Sequence, residues 1–379
     1  AAEEKTWRHF VEELHLSPED EDALVQLRLL HAVHDGQFIK ADIALARENG
    51  VIESEPDGPL ADEVADGDML GLIGGYAAYG ELVNCRLFPL TLIAGWTRFF
   101  REQLPDASSY VVVAASFNLR KFFCIDLQTG KMRVGPVALR RGRASLTQTT
   151  LHALPHATDG GAPSAWSGTP RDEMVEWLAE LGRRLSSRIY VAETLVPREA
   201  QTMGISLFPR LGDRVSEAVT RGICVTASAI FAPEQGRIMY SIRIRLLRHD
   251  EPHGLTSEQR GFSTAQLRAR HWVITDPSGK QDHVHGDGVV GMYPLLREGG
   301  WRDDQQSRSA GHANVTPEQV IPGAPCEGTF IYQSMSGPSG TFEGEIAFVP
   351  GSLREPTGAE FAVRVAPFPI SVSERDFIF

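Results

Sequence analysis

The chain has 379 residues, 42% of them hydrophobic, and a formal net charge of -12 at pH 7. That length implies two domains, because single cores stop growing at roughly 250 to 300 residues. The acidic balance excludes a protein whose main task is to neutralise nucleic-acid phosphates, and no apolar run reaches the ~18 residues of a membrane-spanning helix.

From the start, Trp7, Phe10, Val11 and Leu14 recur at helical spacing and predict a first helix. A second begins at Ser17, a good N-cap, followed by Pro18 and the acidic Glu19 and Asp20. Its apolar stripe is Ala23, Leu24, Leu27, Leu30 and Val33, and Gly36 supplies the left-handed terminus. Residues 50–68 read as an acidic loop. Leu70 to Leu87 alternates small and large apolar residues, and Pro89 opens a helix reaching Phe100. Tyr110 to Ser116, Lys121 to Asp126 and Lys131 to Val137 read as strands. A Ser-, Thr-, Gly- and Pro-rich surface loop over about 144–169, holding Trp166, precedes a helix expected to start at Thr169 and Pro170, with Met174, Val175, Leu178, Leu181 and Leu185 as its stripe. Residues 1–200 thus read as an α+β domain, and residues 201–221 as a linker.

Beyond it, Gly236 to Leu247 sets Ile238, Tyr240, Ile242, Ile244 and Leu246 against Arg237, Met239, Ser241, Arg243 and Arg245, the period of a strand. With Gly222 to Phe231, His271 to Thr275, Val289 to Leu296, Gly328 to Gln333, Thr341 to Val349 and Glu360 to Val365, about seven strands predict a β-sandwich over residues 222–379. It carries a polar insertion at about 299–322. Cys85, Cys124, Cys224 and Cys326 lie far apart with no C-x-x-C, which indicates neither a zinc cluster nor a disulfide scaffold and points to a reducing compartment. No basic-then-apolar signal segment is visible.

Two resemblances join these readings. Arg270-His271-Trp272-Val273-Ile274-Thr275-Asp276, Gly286 to Pro294, Phe330 to Ser334 and Ser339 to Gly344 resemble the ApaG domain, which implies an immunoglobulin- or fibronectin-like β-sandwich. His34-Asp35-Gly36-Gln37, Gly71 to Tyr76 and Val83 to Leu90 resemble a SUKH-type domain, and the joining segment Ile205 to Pro209 and Ala218 to Ile223 is similar to plant-type F-box proteins that carry both. That family implies an adaptor whose F-box docks the Skp and cullin components of a ubiquitin ligase while the two later domains recruit a protein substrate. An F-box of about 40 residues, expected ahead of the SUKH region, is not among these residues. The other readings are a docking subunit of a larger assembly, organellar if a leader was removed, and a small-anion-binding module. Otherwise the cytoplasm or nucleus is expected.

Gly286, Gly288 and Gly291 form a G-x-G-x-x-G, but it runs into Met292-Tyr293-Pro294 and not into a helix, which sets aside a dinucleotide fingerprint. The glycines either shape a sandwich loop or cradle an anion such as pyrophosphate with backbone N–H groups. Arg243, Arg245, Arg268 and Arg270 form a basic stripe, and Trp301 an exposed aromatic, that a partner could hold. His283 and His285 share a face if extended, yet two ligands do not make a site, and they are read as histidines of a surface turn. No G-x-S-x-G, H-E-x-x-H or complete Walker sequence occurs, so no catalytic residue, metal or cofactor is assigned and a non-enzyme is expected.

Overall fold

A computed structural model describes residues 2–34, 36, 46–51, 70–79, 81–104, 107–116, 119–140, 143–146, 151–154, 172–197, 202–303, 326–372 and 376–379. The loop expected over 144–169 with Trp166, the helix start at Thr169 and Pro170, and most of the polar insertion lie outside them.

Helix α1 (Ala2–Glu13) buries Trp7 and Phe10. Helix α2 (Pro18–Ala23) starts on a capping box: the Asp20 N–H donates to Ser17 Oγ at 3.1 Å, and the Ser17 N–H donates to the Asp20 carboxylate at 3.0 Å. The single helix expected from Pro18 breaks at Leu24 and resumes as α3 (Val25–His31). Leu24 and Leu27 are buried as the stripe predicts, whereas Val33, past the helix end, is 88% exposed. Gly36 has φ +76°, and a Cβ there would lie 2.4 Å from the Phe88 carbonyl, so both conformation and close approach require glycine.

Strands β1 (Leu70–Ala78) and β2 (Glu81–Leu87) lead into α4 (Leu90–Gln103), which begins after Pro89 and buries Trp96, Phe99 and Phe100. Strands β3 (Tyr110–Ser116), β4 (Lys121–Asp126), β5 (Met132–Arg140), β6 (Arg143–Leu146) and β7 (Leu151–His152) follow, then α5 (Met174–Ser186), β8 (Val191–Thr194) and β9 (Met203–Ser206). Among the described residues these strands form one nine-stranded sheet in the order β6-β5-β4-β3-β2-β1-β9-β8, with β7 beside β5. Its pairings are antiparallel except that of β1 with β9, which is parallel. Phe100 and Phe122 meet edge to face at 4.6 Å where α4 packs on the sheet. The start of α5 is held by Asp172, which accepts the Met174 N–H at 3.0 Å and the Gln26 N–H at 2.8 Å and so ties α5 to α3. Burial pushes this carboxyl up to about 6, against three backbone N–H donors that favour its charged form.

The second module holds β10 (Val215–Thr220), β11 (Ile223–Ala232), β12 (Arg237–Leu246), the short α6 (Ser257–Arg260), β13 (Ala265–Thr275), β14 (Gln281–Asp287), β15 (Pro294–Arg297), β16 (Gly300–Asp303), β17 (Cys326–Glu327), β18 (Phe330–Ser336), β19 (Thr341–Pro350) and β20 (Phe361–Pro369). One sheet runs β10-β11-β12-β18, and the other β17-β16-β15-β13-β19-β20 with β14 beside β13. A single core of Ile242, Ile244, Leu267, Trp272, Phe330, Phe342 and Val363 fills the space between them. The segment read as a linker holds two strands, β9 in the sheet of the first module and β10 in the sandwich. The expected strand over 289–296 begins only at Pro294, since Val289 to Met292 turn.

The two modules are fastened along the outer face of the four-stranded sheet. Ala232 and Met239 join the core of the first module, as do Ile378 and Phe379. There the Trp177 indole N–H donates to the Ile378 carbonyl at 3.0 Å, and the Ile378 N–H donates to the Ala153 carbonyl at 3.1 Å. Lys121 Nζ donates to the Phe379 carbonyl at 3.0 Å and lies 3.7 Å from the carboxylate of Glu234, in the β11–β12 turn. At the β18 edge of the sheet, on the inner face that Ser334 shares with Tyr240, the Tyr79 hydroxyl meets Ser334 Oγ at 2.6 Å.

Lys121 and Glu234 have side chains 1% and 0% exposed. Burial pushes the Glu234 carboxyl up from 4.5 to about 7, and the Lys121 ammonium down. Between those two pH values the folded state keeps on Glu234 a proton that the unfolded chain has released, so this group lowers stability as pH rises from 4.5 to about 7. Glu234→Gln removes the titration. Urea midpoints at pH 5 and pH 8 should therefore show the wild type losing on the order of 2 kcal/mol relative to the variant at the higher pH; an unchanged gap between the two proteins would contradict this assignment.

Candidate functional site

The β13–β14 hairpin and the loop that leaves it gather most of the candidate residues. Asp276 closes the hairpin turn, its carboxylate accepting the Ser278 N–H at 2.8 Å and the Lys280 N–H at 3.0 Å. Past β14, Val289 and Met292 exchange backbone hydrogen bonds of 2.9 Å around Val290 (φ +49°) and Gly291 (φ +73°). Two positive φ values make a type I′ connection, which favours Asn-Gly. A β-branched side chain at the first position is strained by about 1 to 2 kcal/mol. Val290→Asn is therefore expected to raise stability by about 1 kcal/mol in thermal unfolding; a lower midpoint would show that the valine packs usefully where it stands.

The glycine-rich loop is internally satisfied. The Gly288 N–H donates to the Arg268 carbonyl at 2.8 Å, and the N–H groups of Val289 and Met292 are spent across the turn. Arg270 folds over the loop and donates to the carbonyls of Gly288 at 2.6 Å and Asp287 at 3.2 Å. Gly286 leaves room for this guanidinium, since a Cβ there would lie 2.8 Å from Arg270 Nη1. An anion drawn to the Gly288, Val289 or Met292 N–H would have to displace these bonds.

The expected basic stripe is divided between sheets. Arg268 and Arg270 lie on β13, whereas Arg243 and Arg245 lie on β12 across the sandwich. Arg243 does not face solvent: it is 3% exposed at the junction of the modules, with Nη1 donating to Ser228 Oγ at 3.1 Å and Nη2 3.5 Å from the Glu193 carboxylate. Burial brings its guanidinium down to about 10. Arg245 pairs with Glu251, and Arg268 with Glu360 at 2.5 Å. Trp301 is no exposed aromatic either. It is 3% exposed and stands edge to face with Phe330 at 4.9 Å, because the pleat of β16 turns it into the core.

The histidines lie on a strand, not a turn. His285 pairs directly with His271 across the hairpin, His283 sits beside Val273, and all three share the outer face. His271 Nε2 is 2.9 Å from His283 Nδ1, and the rings of His271 and His285 stack at 4.1 Å. His271 is the residue the sequence reading missed. Its signal was the Pro277-Ser278-Gly279 turn, which sets a register pairing residue 271 with residue 285.

Residues 231–302, from the end of β11 through β16, match the family model described as the ApaG domain. The chain carries an ApaG domain. Protein ApaG of Anaeromyxobacter dehalogenans is 40% identical over 88 residues, 22% of this chain and 62% of that protein. Protein ApaG of Bradyrhizobium diazoefficiens is 42% identical over 82 residues, 22% of this chain and 58% of that protein. F-box protein SKIP16 of Arabidopsis thaliana is 32% identical over 326 residues, 82% of this chain and 64% of that protein. The chain thus spans 58 to 64% of the length of these relatives. The similarity to SKIP16 runs well beyond the ApaG domain into the first module.

Proposed function

We propose that this chain is the substrate-recruiting part of a non-enzymatic adaptor, an F-box protein of a Skp–cullin ubiquitin ligase. One observation carries the reading: similarity to an F-box protein extends over 326 residues, 82% of this chain, and so takes in both modules. The fold is mostly β with an ApaG domain, and the first module, whose helices α1, α4 and α5 accompany its sheet, is read as SUKH-like. Burial of the four-stranded sheet against the first module leaves the outer face of the other sheet for a partner. The thiols of Cys85, Cys124 and Cys224, free in the structure, suit a cytoplasmic or nuclear setting, and no described helix is long and apolar enough to cross a membrane. The test is affinity purification of the tagged full-length protein followed by mass spectrometry. Skp and cullin components recovered in stoichiometric amounts support the reading, and a reproducible list without either sinks it.

A further inference from the structure

Three imidazoles meet on the outer face of the β13–β14 hairpin. His283 and His285 are two residues apart on β14 and so point to the same side, while His271 on β13 stands directly across from His285 and diagonally from His283. On its other flank His271 pairs with Glu345 of β19, whose carboxylate adds an oxygen donor to the same surface. Two neighbouring positions on one strand with a third on the adjacent strand bring three imidazoles onto one patch of the sheet. His271 Nε2 and His283 Nδ1 are already 2.9 Å apart. Two imidazole nitrogens each about 2.0 to 2.1 Å from one ion stand about 2.9 Å apart at a right angle and about 3.4 Å apart at the tetrahedral angle.

The third ring is not yet in place. His285 stacks flat on His271, with ring planes 9° apart, and among the described residues no group of three or more His, Cys, Asp or Glu is arranged as it stands to hold a metal ion. His283 and His285 are exposed, so a change of side-chain torsion brings a nitrogen of His285 over the pair without repacking the core.

We propose that His271, His283 and His285 bind one divalent transition ion of the zinc, nickel or copper kind, pinning the edge strand β14 to β13. Imidazole donors suit these ions and not magnesium or calcium, which take oxygen ligands.

The experiment is calorimetric titration of zinc chloride and, separately, nickel chloride into the full chain at pH 7.5. It is run on the wild type, on His271→Ala, His283→Gln and His285→Gln, and on His253→Gln as a control away from the hairpin. The expected result is one ion per chain, with binding weakened at least tenfold by each of the three substitutions and unchanged by His253→Gln. These side chains lie on the surface, so circular dichroism should show each variant folded. Wild-type affinity in the three variants, or no saturable one-to-one binding in the wild type, overturns the proposal.

Discussion

At pH 8, above the value of about 7 to which burial raises Glu234, replacing Lys121 by methionine is expected to cost the fold about 3 to 5 kcal/mol, the usual penalty for removing one partner of a buried ion pair. The ammonium is 1% exposed and faces three groups with no alternative access to water: the Phe379 carbonyl, the Glu234 carboxylate and the Cys85 thiol. Methionine keeps most of the volume, so the loss is electrostatic. It leaves a carbonyl without its donor and a carboxylate without its counter-charge. The sign of a second substitution separates this from simple misfit. Adding Glu234→Leu to Lys121→Met should recover at least half of the loss, because the pair is then replaced by apolar groups. Urea midpoints of the four proteins of this cycle measure it. A Lys121→Met cost below about 1 kcal/mol, or no recovery in the double variant, would show that the pair does not hold the modules together.

Trp177→Ala should cost about 3 to 5 kcal/mol, in the range for truncating a fully buried aromatic. Trp177 is 0% exposed, stacks on Phe379 at 5.8 Å and packs against Phe123 at 4.9 Å, so its loss opens a cavity where the end of the second module enters the first. Trp177→Phe keeps most of that contact and removes only the N–H that the Ile378 carbonyl accepts. It should cost about 1 to 2 kcal/mol. Equal losses for the two variants would assign the whole effect to the hydrogen bond and none to packing.

The strands of the ApaG domain were legible because alternation marks two faces. What alternation does not say is what covers each face. Ile242 and Ile244 read correctly as core, but Arg243 between them was read as part of a basic stripe open to a partner, and the first module covers it. Trp301 was misplaced for a related reason: polar neighbours suggested an insertion loop, while four residues of strand suffice to turn one side chain inward. The helix expected from Pro18 was legible in its cap and its buried Leu24 and Leu27, though not in the break at Leu24 itself. In the site, the spacing of His283 and His285 was on the surface of the sequence. The partner was not, because His271 enters only through the hairpin register.

These contacts imply that the two modules fold and open as a single cooperative unit. Hydrogen exchange followed by mass spectrometry in rising urea tests it most directly, using peptides from β4 in the first module and β12 in the second. Protection in the two strands is expected to be lost together, in one transition with one midpoint. Loss of protection in β12 at a urea concentration where β4 stays fully protected, or the reverse, would contradict it.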